Sequence, residues 1–243
     1  MHEKLIKEFC QKTEGLKAPE IIRLADQEFG RRVSFASSLG EEDQVITDII
    51  AGIAPQMEIF TLDTGRLFPE TYDLIAKTQK RYPMPFKIYY PETTAVQEMV
   101  KSKGINLFYE SVENRKLCCG IRKVEPLRRA LAGVDAWICG LRRGQSVTRS
   151  QVDVFEWDEQ NMKIKVNPLA HWTLDDVRAY INAHQVDVSP LHALGFLSIG
   201  CSCCTRAVKP GEDIRAGRWW WEQPQQKECG LHNNPNRPPL KKT

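Results

Sequence analysis

Residues 117–123 read Leu117-Cys118-Cys119-Gly120-Ile121-Arg122-Lys123, two thiols side by side with two cations directly after them. An adjacent pair closes a disulfide only through a strained ring, so a structural crosslink explains it poorly. A second group, Ile199-Gly200-Cys201-Ser202-Cys203-Cys204-Thr205-Arg206, contains Cys201 and Cys204 at C-x-x-C spacing. Together the two groups supply enough thiolates for a zinc ion or an iron–sulfur cluster. Zinc sites usually draw on pairs with two to four residues between them. Adjacency suits a cubane better, because each of its separate irons can take a neighbouring residue, so the spacing favours [4Fe–4S] over zinc. Cys203 is a fifth thiol that spacing alone does not exclude. Lys123 lies one turn beyond Cys119, on nearly the same helical face. Its charge there offsets that of the thiolates and can hold an anionic substrate near them.

Further candidate chemistry sits at the ends of short apolar runs. Ser37-Ser38-Leu39-Gly40 leads into Glu41-Glu42-Asp43. Hydroxyls, a glycine and free N–H groups at a helix start suit a phosphate, and simple helix capping accounts for the same residues. The acids complement the helix dipole and repel a phosphate placed too close. Leu62-Asp63-Thr64-Gly65-Arg66 ends the next run, where a nucleotide fits beside the first loop, although Asp63 also suits a turn. Gly140 to Arg149 carries Arg142, Arg143 and Arg149, which suit bidentate recognition of phosphate or sulfate if the loop is not merely a solvated surface. Near the end, Lys227-Glu228-Cys229-Gly230-Leu231-His232 places a lone thiol in polar company. Structural cysteines are usually buried. A thiol near Lys227, His232, Arg215 and Arg218 can instead serve as a thiolate nucleophile.

These residues need a scaffold, and the first two-thirds of the chain supply its pattern. Strands are expected at residues 32–36, 57–62, 86–90, 136–140 and 163–166. Helices are expected at 41–53, 68–82, about 119–132, which puts the paired thiols at a helix start, and 173–184, where Thr173 caps and Asp176 answers. The alternation implies βαβ units: an α/β fold with a doubly wound, mainly parallel sheet and ligands at the carboxyl ends of its strands. Residues 1–188 read as a nucleotide-binding α/β domain. Residues 189–243 read as an irregular C-terminal segment with the C-x-x-C pair and a mobile tail, too small to hold a core alone, so that the whole is one structural unit.

Composition bounds the rest. The chain has 243 residues, 42% hydrophobic and 27% charged, an ordinary globular mix. Its net charge of +3 is too small to argue for nucleic acid as a bulk partner. No apolar run reaches the roughly 18 residues of a membrane span. The first residues, Met1 to Leu16, form an amphipathic pattern without the apolar core of a secretory signal, so a cytoplasmic location is expected. In that compartment the eight cysteines are not a disulfide framework. Cys10 and Cys139 read as packing residues.

Taken together, Cys118-Cys119, Arg122-Lys123-Val124-Glu125-Pro126-Leu127, the arginine loop, Ser198-Ile199-Gly200-Cys201, Cys204-Thr205-Arg206, Arg215-Ala216-Gly217-Arg218-Trp219 and Glu228-Cys229-Gly230-Leu231-His232 resemble the assimilatory sulfonucleotide reductases. More closely they resemble the cluster-containing adenylyl-sulfate (APS) reductases of bacteria, over about residues 30–232. Cluster-free 3′-phosphoadenylyl-sulfate (PAPS) reductases share the terminal motif and lack the paired cysteines. The resemblance implies an adenine nucleotide alpha-hydrolase-like fold and reduction of APS by thioredoxin or a glutaredoxin-like reductant. It implies a [4Fe–4S] cluster on Cys118, Cys119, Cys201 and Cys204, with Cys203 at a variable position, and Cys229 as nucleophile. It implies phosphosulfate binding by Lys123, Arg142, Arg143, Arg149, Arg215 and Arg218, substrate binding by His232 as well, and nucleotide binding by Ser37, Ser38, Gly40, Leu62, Asp63, Gly65 and Arg66. Gly144 departs from the acid often found there in relatives. Competing readings are a PAPS or dual APS/PAPS reductase, a zinc-binding redox-sensing module, and a tRNA-thiolating enzyme, which the small net charge disfavours. The sequence leaves open whether the chain forms a homo-oligomer.

Overall fold

The apolar runs pair as parallel strands in a computed structural model, which describes residues 2–145, 149–223 and 231. Among these, β1 (Val33–Ala36), β2 (Glu58–Leu62), β3 (Phe86–Tyr89), β4 (Ala136–Ile138), β5 (Phe155–Asp158) and β6 (Lys163–Val166) form one sheet in the order β3-β2-β1-β4-β6-β5. All pairings are parallel except β5 against β6, a hairpin in which Phe155 faces Val166 and Asp158 faces Lys163. The central strands are buried on both faces, which is why they read as continuous apolar runs: Phe35, Ile59, Phe60, Ala136 and Ile138 are all fully buried. The chain runs outward from β1 through β2 to β3 and then returns to β4 on the other side of β1. That reversal is the topological switch point of a doubly wound sheet. The loops after β1 and β4 diverge there and leave a crevice.

The helices are α1 (His2–Lys12), α2 (Ala18–Phe29), α3 (Glu41–Ile53), α4 (Pro69–Arg81), α5 (Thr93–Lys103), α6 (Val112–Cys119), α7 (Glu125–Ala130) and α8 (Leu174–His184). The capping box of α8 forms as expected: Asp176 N donates to Thr173 Oγ1 at 3.1 Å, and Thr173 N donates to Asp176 Oδ2 at 2.8 Å.

The expected helix over 119–132 is different. It begins at Val112, passes through a π-helical turn at Gly120–Val124, and resumes as α7. Pro126 has no N–H to give the preceding turn, so the regular ladder cannot run through it. Cys118 and Cys119 therefore stand at the end of α6, not at a helix start. The π turn after them separates two cations: Arg122 Nη1 donates to the Thr64 carbonyl at 2.7 Å, while Lys123 lines the crevice.

Beyond Ser189 the described chain has only short 3-10 turns and one bridge between Thr205 and Arg218. It is ordered by long-range backbone bonds instead. Ser202 N donates to the Arg66 carbonyl at 2.8 Å, and Trp219 N to the Cys204 carbonyl at 3.1 Å.

At the other end, α1 seats on the edge hairpin, where Phe9 stacks on Phe155 with ring centroids 4.7 Å apart. Phe9→Ala is expected to lower unfolding free energy by about 3 to 5 kcal/mol. Lys4→Ala, whose side chain is 88% exposed, should change it by less than about 0.5 kcal/mol. Urea denaturation of both variants checks this.

Candidate active site

The site is built on a buried carboxylate. Asp43, in the first turn of α3, accepts from Ser38 N and Ser38 Oγ, both at 2.6 Å. It also accepts from the backbone N–H of Gly140, at the end of β4. One side chain thus ties the loops on both sides of the switch point. Gly140 has no room for a side chain: a Cβ there would lie 2.2 Å from Asp43 Oδ1 and 3.0 Å from Glu42 Cβ. Burial pushes the Asp43 carboxyl up to about 6, against the opposing pull of its hydrogen bonds from Ser38.

Above this clamp lies a cavity of about 250 Å³. Ser37, Ser38 and Gly40 line it from the β1 loop, and Leu62 from β2. Lys123, Arg142, Arg149, Arg215 and Arg218 bring cationic side chains to its wall from three separate segments. The arginines are not equivalent. Arg142 is 3% exposed and gives Nε and Nη2 to Glu42 Oε1 at 2.9 and 2.6 Å, so it holds the acidic rim in place. Arg149 shares Gln145 Oε1 with the Arg142 N–H. Arg218 lies against the backbone of Gly200, where a Cβ would sit 2.2 Å from its Nη2.

Other residues singled out from the sequence lie elsewhere. Arg143 is turned to the Val152 carbonyl and Asp153, both at 2.7 Å, outside the cavity wall. Asp63 accepts from Gly65 N at 2.7 Å and from the Tyr72 hydroxyl at 3.0 Å, which is its turn role. Arg66 gives Nη1 to Asn106 Oδ1 at 3.1 Å and packs over the Phe108 ring, away from the cavity. Cys229 and His232 lie outside the described residues, but Leu231 between Gly230 and His232 lines the cavity and packs against the core.

Arg178 of α8, 3.5 Å from Glu41, and His192 also line the cavity, and the sequence reading missed both. A lone arginine on a helix face carries no local signal. Asp43 did carry one, as an acid in the first turn of a helix that follows a serine loop.

The cysteines of the two sequence groups converge on one apolar cluster. Cys201 and Cys204 are buried in one apolar cluster with Met99, Leu107, Phe108 and Trp219, and Cys118, Cys119 and Cys203 pack against it. Thr64 Oγ1 is 3.2 Å from Cys201 Sγ, and the Cys203 and Cys204 sulfurs are 3.8 Å apart. Burial pushes the Cys118 thiol up, and the neighbouring Cys203 thiol, followed by burial, does the same to Cys204. Among the described residues, no three His, Cys, Asp or Glu side chains gather closely enough to hold a single metal ion.

The phosphoadenosine phosphosulfate reductase domain family matches residues 32–207. The adenosine 5′-phosphosulfate reductase of Burkholderia cepacia is 54% identical over 83% of this chain and 80% of its own. That of Neisseria meningitidis serogroup A is 51% identical over 92% and 91%. The chain belongs to the phosphoadenosine phosphosulfate reductase family. Among solved structures, the phosphoadenylyl-sulfate reductase of Candida auris, in a phosphate complex, superposes with a TM-score of 0.72 at 32% identity, over 81% of this chain and 94% of that one. A yeast FAD synthetase, at 14% identity and a TM-score of 0.52 over 84% and 74%, shares the fold alone. The reductase fold is thus the adenine nucleotide alpha-hydrolase-like one, and the chain is an enzyme of the sulfur-reducing kind.

Two measurements probe the clamp of this reductase. Gly140→Ala is expected to cost about 1 to 3 kcal/mol through overpacking. Gly144→Ala, whose new methyl meets nothing nearer than Arg142 Nη1 at 3.7 Å, should cost under about 0.5 kcal/mol in thermal melts. The second measurement is pH dependence. A carboxyl raised to about 6 in the folded state contributes stability below its unfolded value near 3.8 and loses it as pH rises through 6. The stability difference between wild type and Asp43→Asn should therefore fall from pH 4 to pH 6 and stay level above pH 7.

Proposed function

We propose that this reductase converts APS to sulfite and AMP, using electrons from thioredoxin or a glutaredoxin-like dithiol. The observation that carries the reading is the cavity itself. It joins a serine loop at a helix start to Lys123, Arg149, Arg215 and Arg218, and its wall includes Leu231, two positions after Cys229. Two residues of extended chain span about 7 Å. The names carried by the curated relatives support APS as substrate. In this reading residues 1–188 bind the nucleotide, and residues 189–243 supply the C-x-x-C pair, the Arg215–Arg218 cations and the tail.

The chemistry runs through thiols. The Cys229 thiolate attacks the sulfur of APS, an S–S bond forms, the S–O bond to phosphate breaks, and AMP leaves with that electron pair. Lys123 and the arginines stabilise charge on the transferring sulfonyl oxygens and on the leaving phosphate. The product is an S-sulfocysteine. A reductant thiolate attacks its Cys229 sulfur and sulfite leaves with the S–S electron pair. The reductant's second thiol then frees Cys229 as a thiolate, so the dithiol ends as a disulfide and supplies the two electrons. A dithiol partner requires a reducing compartment such as the cytoplasm. No helix among the described residues is long and apolar enough to cross a membrane.

Cys118, Cys119, Cys201 and Cys204 would hold a [4Fe–4S] cluster. The donor set fits: it is all sulfur, drawn from two segments into apolar surroundings where uncoordinated thiolates are disfavoured. The Trp221 side chain packs against the same group of apolar side chains, and its indole N–H is buried without a hydrogen-bond partner among the described residues. When bound, the cluster would supply a fixed charged centre behind Lys123, with no part in electron delivery.

Intact-mass analysis after mixing with APS is expected to show one sulfonate adduct on wild type and none on Cys229→Ser, with AMP affinity retained within about threefold. An adduct on another cysteine refutes the assignment. PAPS in place of APS should form the adduct at least tenfold more slowly. Purified wild type should contain about four irons per chain and Cys204→Ser almost none. Stoichiometric zinc without iron would support the zinc-module reading instead.

A further inference from the structure

We infer that the buried ion pair between Arg115 and Glu222 is a positioning element, which fixes the last described turn before Cys229 in the sequence and joins that turn to the thiol site. The inference rests on Cys229 being the nucleophile.

The pair is closed and two-pronged. Arg115 Nε donates to Glu222 Oε1 at 2.8 Å and Nη2 to Oε2 at 2.7 Å, and the two side chains are 1% and 2% exposed. Such a pair is a poor device for stability alone. Desolvating two ions offsets most of their attraction, and apolar side chains of similar volume often serve as well. Its placement offers another use. Arg115 sits on α6, one turn before Cys119, and also interacts with the Cys119 thiol. Its guanidinium lies over the Trp219 ring, 4.8 Å from the centroid, and Arg218 lies over the same ring at 4.7 Å. Arg218 in turn lines the substrate cavity.

Glu222 is the other half. Its N–H donates to the Trp219 carbonyl at 2.8 Å, closing a turn. It stands seven positions before Cys229 in the sequence. Leu231, two positions after Cys229, is seated in the cavity wall. The Arg115 fork therefore fixes the near end of the stretch that carries the nucleophile. The same side chain touches a thiol of the cysteine cluster and the ring that backs a substrate-binding arginine. A lysine cannot reproduce this, because the planar fork fixes direction as well as charge. Releasing the root should lower the fraction of time in which Cys229 is in line with the substrate sulfur, which is an orientation effect on the transfer step and not on nucleotide binding.

The test uses full-length iron-loaded protein and three variants: Glu222→Gln, Arg115→Lys, and the apolar pair Arg115→Met with Glu222→Leu. AMP affinity is measured by calorimetry, and single-turnover S-sulfocysteine formation with APS by intact mass, with rates compared per iron-loaded molecule. Melting temperature reports any general loss of structure. The apolar pair is expected to melt within a few degrees of wild type and bind AMP within twofold, yet form the adduct at least tenfold more slowly. Arg115→Lys should recover less than half of the lost rate. If the apolar pair fails to retain iron, Glu222→Gln, which leaves Arg115 beside Cys119, decides on the same criteria. An adduct rate equal to wild type in the deciding variant overturns the inference. So does a slowing matched by an equal loss of AMP affinity. Absence of any Cys229 adduct on wild type sinks the functional reading first, and this inference with it.

Discussion

The carboxyl group of Asp43 makes the contacts on which the cavity end of the molecule depends. A parallel sheet opens at its switch point because the chain leaves β1 and β4 in opposite directions, and nothing in the sheet itself fixes how wide that opening is. Asp43 fixes it by holding Ser38 with one oxygen and by closing on Gly140 so tightly that no side chain fits there. Burying an acid this way carries a cost, visible in its raised proton affinity. The return is a rigid rim. Arg142 extends that rim by locking onto Glu42, and Gln145 carries it to Arg149. Two of the cavity-lining cations, Arg142 and Arg149, are thus held by an acid and an amide.

A second set of constraints joins the cavity to the cysteines. The β2 loop serves both: Leu62 faces the cavity, Thr64 places its hydroxyl 3.2 Å from the Cys201 sulfur and accepts from Arg122 through its carbonyl, and the Arg66 carbonyl accepts from Ser202 N. The π turn at Gly120–Val124 then sends Arg122 toward that loop and Lys123 toward the cavity. Neighbouring residues of a helical turn point about 100° apart, so this one short segment reaches both the β2 loop and the cavity.

Much of this was legible in the sequence. Strands buried on both faces announce themselves as unbroken apolar runs, and the thiol groups and arginine loop stood out by type and spacing. What escaped reading has particular causes. Strand β5 is only Phe155–Asp158, alternates apolar with acidic residues, and gains its identity from pairing with β6. The break between α6 and α7 turns on a single proline. Whether Arg142, Arg143 or Arg66 faces the cavity depends on partners such as Glu42, Asp153 and Asn106, distant or otherwise unremarkable in the sequence. Local pattern marks which residues are capable of chemistry; tertiary contacts choose among them.

Trp219 carries a consequence for what determines the shape of the last described turn. It is almost fully buried and holds a positive φ of 41°, a conformation that costs a bulky residue on the order of 1–3 kcal/mol. What sustains it comes from elsewhere: the Cys204 carbonyl, the Arg115 guanidinium over its ring, and the neighbouring Arg218. Without α6 and the 201–204 turn, that backbone geometry has nothing to repay its strain. The conformation of this last described turn is therefore a property of the assembled thiol site and not of its own local sequence.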